Sequence, residues 1–100
     1  MRVNILCETK EIQTEQGDNL ILEYYLIHDM AAGSAEEERY GIGILKKEED
    51  GTEEREWLSG ISNSREKTES LLMRMAAGMV TPVSAAAIVD DWIGADEKLG

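Results

Sequence analysis

The residues able to carry chemistry are few: one cysteine (Cys7), one histidine (His28), and 21 Asp and Glu against 10 Lys and Arg. Cys7 and His28 lie in two stretches that read as paired strands, so a thiol nucleophile and an imidazole base could face each other across a hairpin. Cys7, however, falls on the apolar side of its strand, where a cysteine packs as a small hydrophobe. A single histidine excludes a two-histidine metal site and leaves any acid–base role solitary. Asp90 and Asp91 are the adjacent carboxylates a hard cation would take, yet neighbours on a helix diverge by about 100°, and a solvated flank is the simpler reading. Lys46 to Glu54, KKEEDGTEE, lacks the D-x-[DN]-x-[DN]-G framework of a calcium loop. Gly41-Ile42-Gly43 lacks the third glycine and following helix of a dinucleotide site, and G-x-S-x-G, P-loop and H-E-x-x-H signatures are absent. The expectation is a protein that is not an enzyme, with no catalytic residue, no cofactor and no metal.

The elements around these residues begin with period-two strands. Met1 to Thr9 alternates Met1, Val3, Ile5 and Cys7 against Arg2, Asn4 and Glu8, broken by Leu6, and extends toward Ile12. Gln16-Gly17-Asp18-Asn19 then turns the chain into a second strand, Leu20 to His28. That strand is apolar on both faces, with Leu22, Tyr24 and Leu26 opposite Ile21, Tyr25 and Ile27. Two-sided burial suggests a central strand or a face covered by a partner chain. Asp29 to Glu38 has no sustained period and reads as a loop. Tyr40 to Leu45 is a third strand with glycines between its large residues, where an exposed face or a bulge is the usual cause. Asp50-Gly51 marks a second hairpin, and Arg55 to Ile61 is a fourth strand with Trp57 and Ile61 on one side and Leu58 on the other.

Ser62 to Ile93 reads as two helices joined by a short turn. Asn63 with Glu66 offers a capping box, with Ser62 or Ser64 as alternative caps. Thr68, Leu71, Leu72, Met75 and Met79 form one apolar face. Gly78 is the residue expected to enter the left-handed conformation at the helix end. Thr81-Pro82 places a hydroxyl cap before a proline at the first helical position. Ala85, Ile88, Val89, Trp92 and Ile93 then make a second stripe, ended by Gly94.

One hundred residues suit a single domain that buries about 60–65% of its unfolded surface. One cysteine precludes an internal disulfide, no charged and apolar leader is seen, and no apolar run approaches the roughly 18 residues of a membrane span. A cytoplasmic protein is expected. A formal net charge of −11 weighs against nucleic acid and against an anionic membrane surface as partners. The acidity is uneven: residues 1–60 hold six Lys and Arg against fifteen Asp and Glu, and residues 61–100 four against six.

The paired tyrosines of Glu23-Tyr24-Tyr25-Leu26, then Tyr40-Gly41-Ile42, a charged hairpin, Ile61-Ser62, Val80-Thr81-Pro82-Val83 and Ile88-Val89-Asp90-Asp91-Trp92 follow in an order that carries a family likeness. Over Leu20 to Ile93 the chain resembles a domain-of-unknown-function family of small proteins from clostridial Gram-positive bacteria. Ala85-Ala86-Ala87 departs from the bulkier residues that the resemblance implies. The resemblance implies a bacterial host and no activity, cofactor or catalytic residue.

These readings combine into an α+β domain. Residues 1–61 form a four-stranded antiparallel meander in the order 1-2-3-4, residues 62–94 a helical hairpin over one face, and residues 95–100 a frayed tail. The expected function is a small interaction or regulatory module that binds another protein, with a homodimer also expected. The candidate surface is Ile21, Tyr25 and Ile27, with Glu36, Glu37 and Glu38 steering a basic partner. Two alternatives are an acidic imitation of nucleic acid that blocks a DNA-binding protein, and a small enzyme working through Cys7 and His28.

Overall fold

The computed structural model describes residues 1–30 and 38–99, with side chains through residue 95. Four strands, β1 (Arg2–Gln13), β2 (Asn19–Asp29), β3 (Arg39–Glu48) and β4 (Glu53–Ser62), form one antiparallel sheet in the order β1-β2-β3-β4. Two helices follow, α1 (Arg65–Ala77) and α2 (Pro82–Leu99). The meander and the α+β class are those expected, and most strands run two or three residues longer than their apolar patterns. The turns are tied as their residue types require: Gly17 and Gly51 adopt φ of 89° and 90°, and the Thr52 amide donates to Asp50 Oδ1 at 2.8 Å. That bond, made to the charged form, holds the Asp50 carboxyl below its ordinary range. The expected loop falls mostly on residues 31–37, outside the described residues.

Side chains of even-numbered β2 residues face the helices. Leu22, Tyr24 and Leu26 join Ile42 and Ile44 of β3, Leu71, Leu72 and Met75 of α1, and Ala85 and Val89 of α2 in one buried cluster. Each large member contributes on the order of 1.5–3 kcal/mol by leaving water. α1 crosses all four strands, while α2 lies on β3 and β4. The Tyr24 hydroxyl donates to the Val80 carbonyl at 2.8 Å, which ties the connection between the helices to the middle of the sheet.

Two irregularities set which residues share a face. In β1, Leu6 opposes Tyr25 and Glu8 opposes Tyr24, so Cys7 is an additional residue. This bulge reverses the parity of β1 and brings Ile12 to the same side as Ile5 and Cys7, all packed against the core cluster. In β4 the register shifts between Tyr40/Ser62 and Ile42/Leu58, leaving Ser59, Gly60 and Ile61 opposite Gly41 alone. Gly60 takes φ 66° there. The shift corrects the expected faces of β4: Leu58 and Ile61 both pack on the core, and Trp57 points the other way.

The helix ends differ in three details. Ser64, not Asn63, caps α1, its side chain accepting from the Lys67 amide at 3.2 Å, and the buried Thr68 hydroxyl donates to the Ser64 carbonyl at 2.8 Å. At the other end Gly78 is at φ −86° and Met79 is the left-handed residue, at φ 51°. Val80 N–H donates to the Met75 carbonyl and Met79 N–H to the Ala76 carbonyl, both at 3.0 Å, which is the Schellman pattern with Met79 in the position glycine favours. Met79 therefore leaves the apolar face and is 50% exposed. α2 does not stop at Gly94 but continues to Leu99, because a helical glycine without a positive φ costs only about 1 kcal/mol and good helix formers follow.

Candidate interaction surface: the helix-free face of the sheet

Odd-numbered β2 residues point away from both helices. Their register partners define rows across the sheet. The central row is Leu6, Tyr25, Gly43 and Trp57, with Leu45 and Ile27 on either side of it in neighbouring rows. Trp57 lies across Gly43: a Cβ on that glycine would occupy the space of the indole ring. Tyr25 meets the same indole edge-on, with ring centroids 5.3 Å apart and planes at 67°, the arrangement favoured by aromatic quadrupoles. Gly41, one pair along, is required for a different reason. A Cβ there would strike the Leu58 carbonyl and the Ser59 backbone, where the β4 bulge passes over it. The two glycines of Gly41-Ile42-Gly43 thus admit a neighbouring strand and an aromatic ring.

Charged side chains rim this face in closed pairs. Arg2 meets Asp29 at 2.9 Å, Lys47 meets Glu23 at 3.2 Å, and Arg55 meets Glu53 at 3.1 Å. The Tyr25 hydroxyl adds a hydrogen bond to Glu23 at 3.2 Å. Hydrogen bonding to Glu23 raises the Lys47 pKa, and that to Asp29 raises the Arg2 pKa. Burial, helped by Glu23, raises that of the Tyr25 phenol. The acceptors nearest the aromatic pair are therefore already engaged by a cation or a hydroxyl.

Of the residues expected to form an interaction surface, Ile21 and Tyr25 are half-buried on this face. Ile27 shares the face but is only 1% exposed, so it supports the surface from beneath. Glu38 lies elsewhere, at the start of β3: its Oε2 accepts the Tyr40 hydroxyl at 3.2 Å and stands 3.5 Å from His28 Nε2. Glu36 and Glu37 lie outside the described residues. Sequence reasoning missed Leu6, 49% exposed, and Trp57 as members. The Leu6 interruption of the β1 alternation and the large ring paired in register with a glycine were the available signals.

Cys7 and His28 are not brought together. Cys7 sits at the β1 bulge beside Tyr24, and His28 is four residues along β2, about 13 Å at the rise of a strand. His28 stacks on Tyr40, centroids 4.6 Å apart and planes at 16°, and Cys7 Sγ donates to the Ile5 carbonyl. Asp90 and Asp91 are both exposed. A cleft of about 460 Å³ opens between the two hairpin tips, among Thr14, Asp18, Asn19, Glu48 and Asp50. Its walls are solvated turn residues that bring no buried polar group to a common point. Among the described residues no helix is long and apolar enough to cross a membrane.

No curated protein and no solved structure matches the chain. Residues 3–95 match the model of a family of unknown function, DUF6514, and the chain belongs to that family.

Proposed function

We propose that this member of the DUF6514 family is a non-catalytic protein-interaction module of the bacterial cytoplasm, and that the helix-free face of its sheet is the docking surface. The observation that carries the reading is the row Leu6–Tyr25–Gly43–Trp57, an apolar and aromatic strip that no described helix covers and that closed ion pairs surround. Tyrosine and tryptophan offer large, stiff contact area with a polar tip, and such residues carry most of the energy of protein interfaces. A rim of satisfied charges adds register at little desolvation cost.

The test is site-specific photo-crosslinking of the full chain in a Gram-positive bacterial host, the origin that the resemblance implies. A photoreactive residue replaces Leu6 or Thr9 on the helix-free face, or Met73 or Val83 on the helix side, all four of them exposed. Crosslinks to a protein from Leu6 and Thr9 alone support the reading. Crosslinks confined to Met73 and Val83, or none from any position, contradict it.

A further inference from the structure

The chain carries a formal net charge of −11, yet its helix-free face is neutral. The register places Arg2, Arg39, Lys47 and Arg55 on that face against Glu11, Glu23, Asp29 and Glu53, four of each sign. The excess acidity lies elsewhere: on helix-facing positions of the strands such as Glu54 and Glu56, at the hairpin tips with Asp18, Glu49 and Asp50, and on exposed helix flanks with Asp90 and Asp91. Much of the acidic excess therefore lies away from the apolar strip, while α1 is nearly balanced, with Arg65, Lys67 and Arg74 against Glu66 and Glu69.

A face built to receive a basic partner would concentrate carboxylates around its apolar centre, because complementary potential steers and orients association. This face has no such excess. Its balanced charge lets two copies of so acidic a chain meet around the apolar strip without opposing two net like charges. We infer that the occupant of the face is a second copy of this chain, stacked sheet on sheet about a two-fold axis. The inference rests on the docking face proposed above and names its partner.

The dimensions are sufficient. Four strands about 4.8 Å apart and about ten residues long at about 3.3 Å each give a face of roughly 600 Å². Two such faces bury about 1,200 Å² in total, the lower edge of specific, stable interfaces. Sheets packed in this way lie about 10 Å apart with aligned strands, so Trp57 and Tyr25 of one copy interdigitate with the same strip of the other. The charges left outside repel across solvent, so association tightens as salt screens them, opposite to the response of a basic partner docked on carboxylates.

The experiment is sedimentation equilibrium of the full chain over a range of concentrations at low and high salt, alongside four changed chains. The expected result is a reversible species of twice the 11.1 kDa chain mass that strengthens with salt. Leu6→Glu, or Arg55→Glu where a change at Leu6 disturbs folding, weakens it by at least about tenfold. Combining Glu53→Arg with Arg55→Glu keeps the face neutral and restores it. Met73→Glu on the helix side leaves it unchanged. A monomer at every concentration overturns the inference, as does a dimer that salt weakens or that Met73→Glu dissolves. A monomer whose Leu6 photo-crosslinks to a different protein overturns the second copy alone and leaves the docking face standing. Loss of the Leu6 crosslink together with a monomer overturns both.

Discussion

At the scale of single residues, Met79 and Tyr24 mark where the chain departs from and where it follows its sequence pattern. Met79 holds φ 51° at the end of α1 with half its surface in water, a conformation that costs an L-residue roughly 1–2 kcal/mol. Met79→Gly removes the steric cost and loses little packing, so thermal or denaturant unfolding is expected to show a gain of about 0.5–1 kcal/mol after the added chain entropy is subtracted. Sequence alone assigned the left-handed role to Gly78, one residue early. The Schellman bonds run from Val80 and Met79 N–H to the Met75 and Ala76 carbonyls, which puts Met79, and not Gly78, at the left-handed position. Tyr24, placed correctly as a core residue, has no exposed surface, and burial pushes its phenol up to about 12 from 10.0. The unfolded chain ionises first, so this contribution to stability is complete below pH 10 and is lost as the pH rises from 10 toward 12. Tyr24→Phe removes the bond to Val80 and is expected to cost about 1–3 kcal/mol near neutrality. It also flattens the alkaline decline in urea midpoints, leaving the smaller slopes of Tyr25 and Tyr40, whose pKa values burial also raises.

At the scale of elements, the period-two patterns of β1 and β4 each change phase once, and each change is a bulge. The apolar alternation placed all four strands, and two of their three antiparallel connections are written in Gly17 and Asp50-Gly51. It did not place Ile12 or Ile61 on the core side, because one additional residue in β1 exchanges the faces beyond it, and three residues opposite Gly41 break the alternation of β4. In β4 the phase change depends on two glycines with different duties. Gly60 supplies a positive φ in open space, whereas Gly41 supplies room for the Leu58 and Ser59 backbone. Gly60→Ala should therefore cost only about 1 kcal/mol, the penalty of the left-handed conformation. Gly41→Ala must displace backbone and should cost clearly more, in the range of overpacked cores, about 1–3 kcal/mol or above. Chemical unfolding of the two variants checks the order. A larger loss at Gly60 would mean that the bulge is not the arrangement β4 adopts.

At the scale of the whole molecule, the two sides of the sheet differ in what they bury and in charge. One side is closed by α1 and α2, and the other keeps a neutral, aromatic strip on a chain of net charge −11. The two-sided apolar pattern of Leu20 to Ile27 was enough to anticipate apolar residues on both faces of the sheet. The charge balance across rows became visible only with the register, because Arg2, Arg39, Lys47 and Arg55 come from three different strands. The chain's two tryptophans report on opposite sides: Trp57 on the open strip, Trp92 packed against the core cluster from α2. The most direct measurement is acrylamide quenching of single-tryptophan chains, Trp92→Phe and Trp57→Phe, followed from dilute to concentrated protein. The account predicts that Trp57 becomes shielded and blue-shifted as concentration rises while Trp92 stays constant. Shielding of Trp92 with Trp57 unchanged would place the contact on the helix side and contradict it.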